Sequence, residues 1–139
     1  MRPQVNDARA LTLRQPWAWA VIFGGKDVEN RTWRPRKPFT LLVHAGVTWA
    51  EEGAEHLELL GIRIPEAATW GGQIIGAVEV TGATDDSDSP WAIDGYWHWI
   101  LENPRPADPP IPTRGRAALF RPPAGWEDSF RPQRRQRSA

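Results

Sequence analysis

A chain of 139 residues with 17 basic and 17 acidic side chains, formally neutral, is long enough to bury one core and too short for two comfortable domains. The absence of cysteine excludes a disulfide framework, a thiolate nucleophile and the thiolate-rich zinc sites. No apolar run approaches the ~18 residues of a membrane span and the polar start Met1–Arg9 lacks the apolar centre of a secretory leader, so a soluble, cytoplasmic protein is expected.

Residues 1–10 read as an N-terminal arm, 11–121 as the folded domain and 122–139 as a basic, disordered tail. Pro16 suits the first position of a helix, where its missing N–H costs nothing, and Gly24-Gly25 supplies a left-handed stop. A short helix from about Pro16 to Phe23 is therefore predicted. Val28–Trp33 reads as a strand with Glu29, Arg31 and Trp33 on one face. A basic turn, Arg34–Pro38, leads to an apolar strand over Phe39–His44. Thr48 followed by Glu51 has the pattern of a capping box, and Trp49, Ala54, Leu57 and Leu60 keep helical spacing until Gly61. The acidic residues of that helix, Glu51, Glu52, Glu55 and Glu58, read as a solvated face near the helix dipole.

Gly71-Gly72 opens a strand over Gln73–Thr81 that is buried on both faces except at Glu79. Thr84–Gly95 is a polar loop whose acidic residues lack the spacing of a calcium loop. Tyr96–Leu101 alternates as a strand. Asn103–Pro112 holds five prolines and is expected to be an extended connection, with a last short strand over Ala117–Phe120. Beyond Pro122 the apolar periodicity ends, and Arg131, Arg134, Arg135 and Arg137 form the basic tail. There is no internal repeat.

Charge is unevenly spread. Arg2–Lys37 carries eight basic residues against three acidic ones, Glu51–Glu102 one against eleven, and Asn103–Ala139 again eight against three. If the two ends meet in space they form one basic face, the footprint a polyanion needs; scattered solvated charge is the plain alternative. The nine tryptophans divide between core filling and base stacking in a way that sequence leaves open.

The densest chemistry surrounds the first helix. Its amino end offers free N–H groups beside Arg14, a place for a phosphate or carboxylate. Gln15 stands at the cap position with a side chain that caps poorly, leaving an amide for a base edge. Lys26 follows the helix. Desolvated near Arg31 it would be a base or nucleophile, unless Glu29 pairs with it and keeps it charged. Each residue also has an ordinary reading: Arg14 as surface charge, Gln15 as a link to backbone, Lys26 as a helix-end cation, Glu29 with Arg31 as a strand ion pair. His44 either lines the cleft or is a satisfied strand histidine. No pair of histidines has metal spacing, and neither a nucleophile elbow nor a phosphate-binding glycine loop is present; no metal or cofactor is expected.

L-T-L-R-Q-P-W-A-W-A followed by G-G-K-D-V-E-N-R-T-W resembles the signature of the ASCH (activating signal cointegrator homology) family, a branch of the PUA-like superfamily. G-A-V-E-V, Y-W-H-W-I-L-E-N-P-R-P and R-G-R-A-A-L-F extend the resemblance over roughly Leu11–Phe120. It implies an α+β fold, a small mixed or antiparallel PUA-like β-barrel with two or more flanking helices, and a cleft for RNA or a modified nucleoside. One branch hydrolyses N4-acylated cytidine with a lysine, a threonine three residues later and a distant glutamate. Lys26 matches the lysine, but Glu29 occupies the threonine position, so the mechanism does not transfer unchanged.

The leading expectation is binding of single-stranded RNA or a modified nucleoside through a basic cleft. Arg14, Lys26 and Arg31 would supply charge, Gln15 and Asn30 polar readout, Trp17 or Trp33 an aromatic wall, with His44 lining the site. The enzymatic alternatives are an amidohydrolase of N4-acylated cytidine-type nucleosides, with Lys26 or Glu29 activating water and Arg31 stabilising an oxyanion, and a ribonuclease. A protein-interaction module built on Pro104–Pro112 is the reading without nucleic acid.

Overall fold

The computed structural model describes residues 8–132; the expectations for residues 1–7 and for Arg134, Arg135 and Arg137 lie outside them. The segment before the first helix, not anticipated as regular structure, is strand β1 (Arg9–Gln15). Its reason is a two-residue alternation: Leu11 and Leu13 enter the main core while Ala10 packs on the opposite side of the sheet. Helix α1 (Trp17–Phe23), β2 (Val28–Arg31), β3 (Phe39–Trp49), helix α2 (Glu51–Leu59), β4 (Gln73–Thr84) and β5 (Trp97–Pro112) follow.

The strands form one sheet in the order β1-β3-β4-β5-β2. β1 runs parallel to β3, and every other pair is antiparallel. The sheet curls into a half-barrel flanked by the two helices, an α+β fold. One face carries the main core, with Leu41, Val43, Val78, Val80 and Trp99 beneath Ala18, Val21 and Ile22 of α1. The other holds Leu42, Ile74 and Ala77. A third cluster joins α1 to α2 through Leu57 and Trp91.

Four local expectations change. Thr48 is still in β3, and the residue that precedes α2 is Ala50, whose extended backbone is tied by its N–H to Gln15 O at 2.7 Å. Helix entry is thus set by β1 and not by a capping box. The proline-rich stretch is no free connection but the second half of β5. Arg105 and Pro106 pair with Ala77 and Gly76, Ile111 and Pro112 with Ile74 and Gln73, and residues 107–110 fall in the register shift between them. Prolines persist there because a shifted ladder does not require every N–H; the backbone is held in the sheet while all five proline rings stay exposed.

The expected strand over Ala117–Phe120 reduces to a single bridge from Phe120 to Ala10. Residues 123–132 also stay with the domain. A 3-10 turn over Trp126–Phe130 lays both aromatics on Ala8, Ala10, Leu42, Ile74 and Ala77. Two rings in a single short turn give apolar burial without the repeat that periodicity detects.

Candidate functional site

Gly24 N–H and Lys26 N–H both reach Ala20 O, at 2.9 and 3.0 Å, and Gly25 adopts φ 79°. This left-handed turn, open to glycine at little cost, ends α1 and returns Lys26 to the interior. Lys26 is 4% exposed. Its Nζ donates to Val28 O and to Glu29 Oε1, the latter at 3.3 Å, and lies 5.4 Å from the Trp17 ring centroid. Glu29 and Arg31, two apart on β2, share a face, and Arg31 Nη2 donates to Glu29 Oε2 at 3.1 Å. Two cations thus flank one largely buried carboxylate. Arg31 Nε is buried without a hydrogen-bond partner among the described residues.

This triad borders a hollow of ≈ 460 Å³, a size typical of small-molecule sites. Six of the residues singled out in the sequence line it: Arg14, Trp17, Lys26, Glu29, Asn30 and Arg31. Asn30 contributes its stem more than its amide, which donates to Trp91 O and accepts from Ile93 N–H, both at 2.9 Å.

Gln15, Trp33 and His44 lie elsewhere. The Gln15 amide is consumed within the fold, Nε2 donating to Trp70 O at 3.0 Å and Oε1 accepting from Trp19 N–H at 2.8 Å. It does cap α1, but by hydrogen-bonding into the first turn from a buried side chain, so it is not presented to a base edge. Trp33 packs edge-on against Trp99, with ring centroids 4.9 Å apart, outside the hollow. His44 is the satisfied strand histidine: its Nε2 donates to Thr113 O and its Nδ1 accepts from the Thr12 hydroxyl at 3.1 Å.

The remaining wall comes from Thr12, Leu13, Glu52, Ile93 and Tyr96, none of them anticipated. Thr12 and Leu13 follow once β1 is recognised as a strand. Tyr96, the single tyrosine of the chain, stands exposed at the junction of a polar loop and a strand, the signal that could have marked it. The loop before it is held down. Ser87 N–H donates to His98 Nδ1 at 3.1 Å, His98 Nε2 donates to Ile93 O at 2.8 Å, and Ser89 Oγ donates to Asp27 at 2.6 Å.

At the mouth, Arg14 Nη2 meets Glu52 Oε1 at 2.6 Å, both side chains more than half exposed. A backbone hydrogen bond within the first turn of α2, then the Arg14 guanidinium, hold the Glu52 carboxyl below its ordinary value. With its folded value lowered, the contribution is present above the unfolded value and is lost as pH falls through the folded one. Arg14 is therefore released in acid.

Helix α2 approaches this wall through Gly53. A Cβ there would stand 2.9 Å from Trp17 Cε2 and 3.2 Å from Pro16 Cδ. Gly53→Ala is expected to displace the Trp17 ring and cost about 1–2 kcal/mol by overpacking. Urea denaturation, together with an altered Trp17 environment by NMR, checks this.

The curled mixed sheet, with its opening strand and first helix folded around a hollow at one side, defines a PUA-like domain. The ASCH domain model matches residues 11–111, most of the chain, and the protein belongs to the ASCH domain family. Family membership suggests an RNA-binding type of function. A search of curated proteins gave no match. Among the described residues no helix is long and apolar enough to cross a membrane, and no group of three His, Asp or Glu side chains is arranged to hold a metal ion.

Proposed function

We propose that the hollow receives one nucleotide of a single-stranded RNA, or a modified nucleoside, with Trp17 as the aromatic wall and Arg14 and Arg31 as the anion contacts. The observation that carries this reading is the buried Arg31 Nε–H without a partner, in a nucleoside-sized hollow that Trp17 also lines. A buried donor left unpaired costs ~1–3 kcal/mol, and a ligand acceptor removes that cost. Lys26 and Arg31 against Glu29 leave one net positive charge, which suits a phosphate.

Binding of short single-stranded RNA should weaken with salt, log affinity falling with a slope of about 0.7 per phosphate contacted. Arg31→Lys keeps the charge and removes both the Nε–H and the fork, and it should weaken binding about tenfold. Salt-insensitive or absent binding of the parent protein would overturn the proposal.

The amidohydrolase alternative, with Lys26, Glu29 and Arg31 in catalytic roles, has less support. The Lys26 amine is engaged by Val28 O, by Glu29 and by the Trp17 face, and it must leave all three before it can attack a carbonyl. Incubation with N4-acetylcytidine should release no cytidine, and RNA held with the protein in chelator should stay full length. Cytidine release by the parent protein would replace the binding reading with the hydrolytic one.

A further inference from the structure

We infer that the loop between β2 and β3 is a second anion site, a shelf for the phosphates of the strand whose nucleotide occupies the first hollow; its ligand class rests on the proposed function. The loop borders a separate hollow of ≈ 640 Å³ closed on the far side by Gly82 and Ala83 of β4. Arg34, Arg36 and Lys37 line it, and among the described residues no carboxylate does. In a chain with as many acidic as basic residues, Arg34 and Arg36, lining one hollow with no acid among its described lining residues, concentrate positive potential where a polyanion can use it.

The shelf is shaped. The Arg34 guanidinium lies 4.4 Å from the Trp97 ring centroid, a stack that fixes the charge in place while leaving its edge for acceptors. Pro35 and Pro38 fix two backbone φ angles of the loop. Arg36 is exposed and has no ion pair or hydrogen bond among the described residues.

Neighbouring side chains also link it to the first hollow, with which it shares no lining residue. Trp97 is the register partner of Arg31 across β2 and β5, and facing residues of an antiparallel pair share one side of the sheet with Cβ atoms about 5 Å apart. Arg31, Trp97 and Arg34 thus form an unbroken run from one anion contact to the next. Trp33, adjoining Arg34 in the chain, is 44% exposed and offers a face on which a base can stack. Cations in series beside an open indole match a single strand better than a lone phosphate. A membrane surface fits less well, because within the loop, residues 32–38, Trp33 alone is large and apolar.

The test titrates a short single-stranded oligoribonucleotide, and separately cytidine 5′-monophosphate, against the full protein at stepped salt. The variant R34Q/R36Q should bind the oligonucleotide at least tenfold more weakly and flatten its log–log salt slope by about 1.4, the yield of two cations at about 0.7 each. Its affinity for the mononucleotide should be unchanged. Arg36→Glu alone, at an exposed and unpartnered position, should show the same direction without disturbing the Arg34–Trp97 stack. Parental affinity and slope in both variants would overturn the inference, as would equal weakening of oligonucleotide and mononucleotide. Loss of binding to phosphatidylserine vesicles with oligonucleotide binding intact would assign the loop to a membrane and likewise overturn it. If the double variant behaves as expected while Arg31→Lys changes nothing, the shelf stands and the reading of the first hollow falls.

Discussion

Lys26→Met should lower the unfolding free energy by about 3 kcal/mol, near the low end of what breaking a buried ion pair costs. The side chains of Lys26 and Glu29 are 3% and 10% exposed, so removing the lysine strands a carboxylate away from water and frees Val28 O as well. Arg31 still faces Glu29, which keeps the loss from the upper end of that range. Lys26→Met combined with Glu29→Gln should recover part of the deficit, because the stranded charge is then gone and the amide can still accept from Arg31. Denaturant unfolding of the two singles and the double measures this coupling; strict additivity would refute the account of the triad. Loss of RNA binding in Lys26→Ala reports unfolding as readily as a lost contact, whereas Arg31→Lys alters the ligand contact with its charge retained.

Gly76→Ala should be the most damaging small substitution in the sheet. A Cβ there would stand 2.6 Å from Arg105 O and 2.6 Å from Ile22 Cδ1. The side chain of Ile22 can rotate, but the carbonyl belongs to the β5 backbone beside the Gly76–Pro106 pair. The ladder itself must open, which costs about 3 kcal/mol and lowers Tm by roughly 10 °C in a chain of this size. Gly82→Ala is the control. Its Cβ would meet nothing nearer than Ile100 Cδ1 at 4.0 Å, and its Tm should match the parent's. Equal melting of the two variants would mean that β4 and β5 are not packed as described.

Elements with a clean local cause were legible in the sequence. The glycine stop after α1, the buried run of β4 and the shared face of Glu29 and Arg31 all follow from backbone preference or strand periodicity. What was not legible depended on partners distant in the chain. β1 is a short alternation that becomes a strand by pairing with β3, the start of α2 is fixed by a hydrogen bond from Ala50 to Gln15, and the prolines of β5 are admitted by a register shift that only β4 defines. For the hollow the same division holds. Residues near α1 in sequence were named, but whether a polar side chain faces a ligand or the fold was decided by groups such as Trp70 O for Gln15 and Thr113 O for His44. Ile93 and Glu52 reach the hollow from segments far from α1 in the chain, and no local pattern points there.

The central claim is that a nucleotide occupies the hollow beside Trp17 and the Lys26–Glu29–Arg31 triad, and a crystal structure of the protein with cytidine 5′-monophosphate tests it most directly. The base should lie against the Trp17 ring, with a ligand oxygen on Arg31 Nε. Density for the nucleotide on another surface, with Arg31 Nε still unpartnered and the hollow filled by solvent, would contradict it.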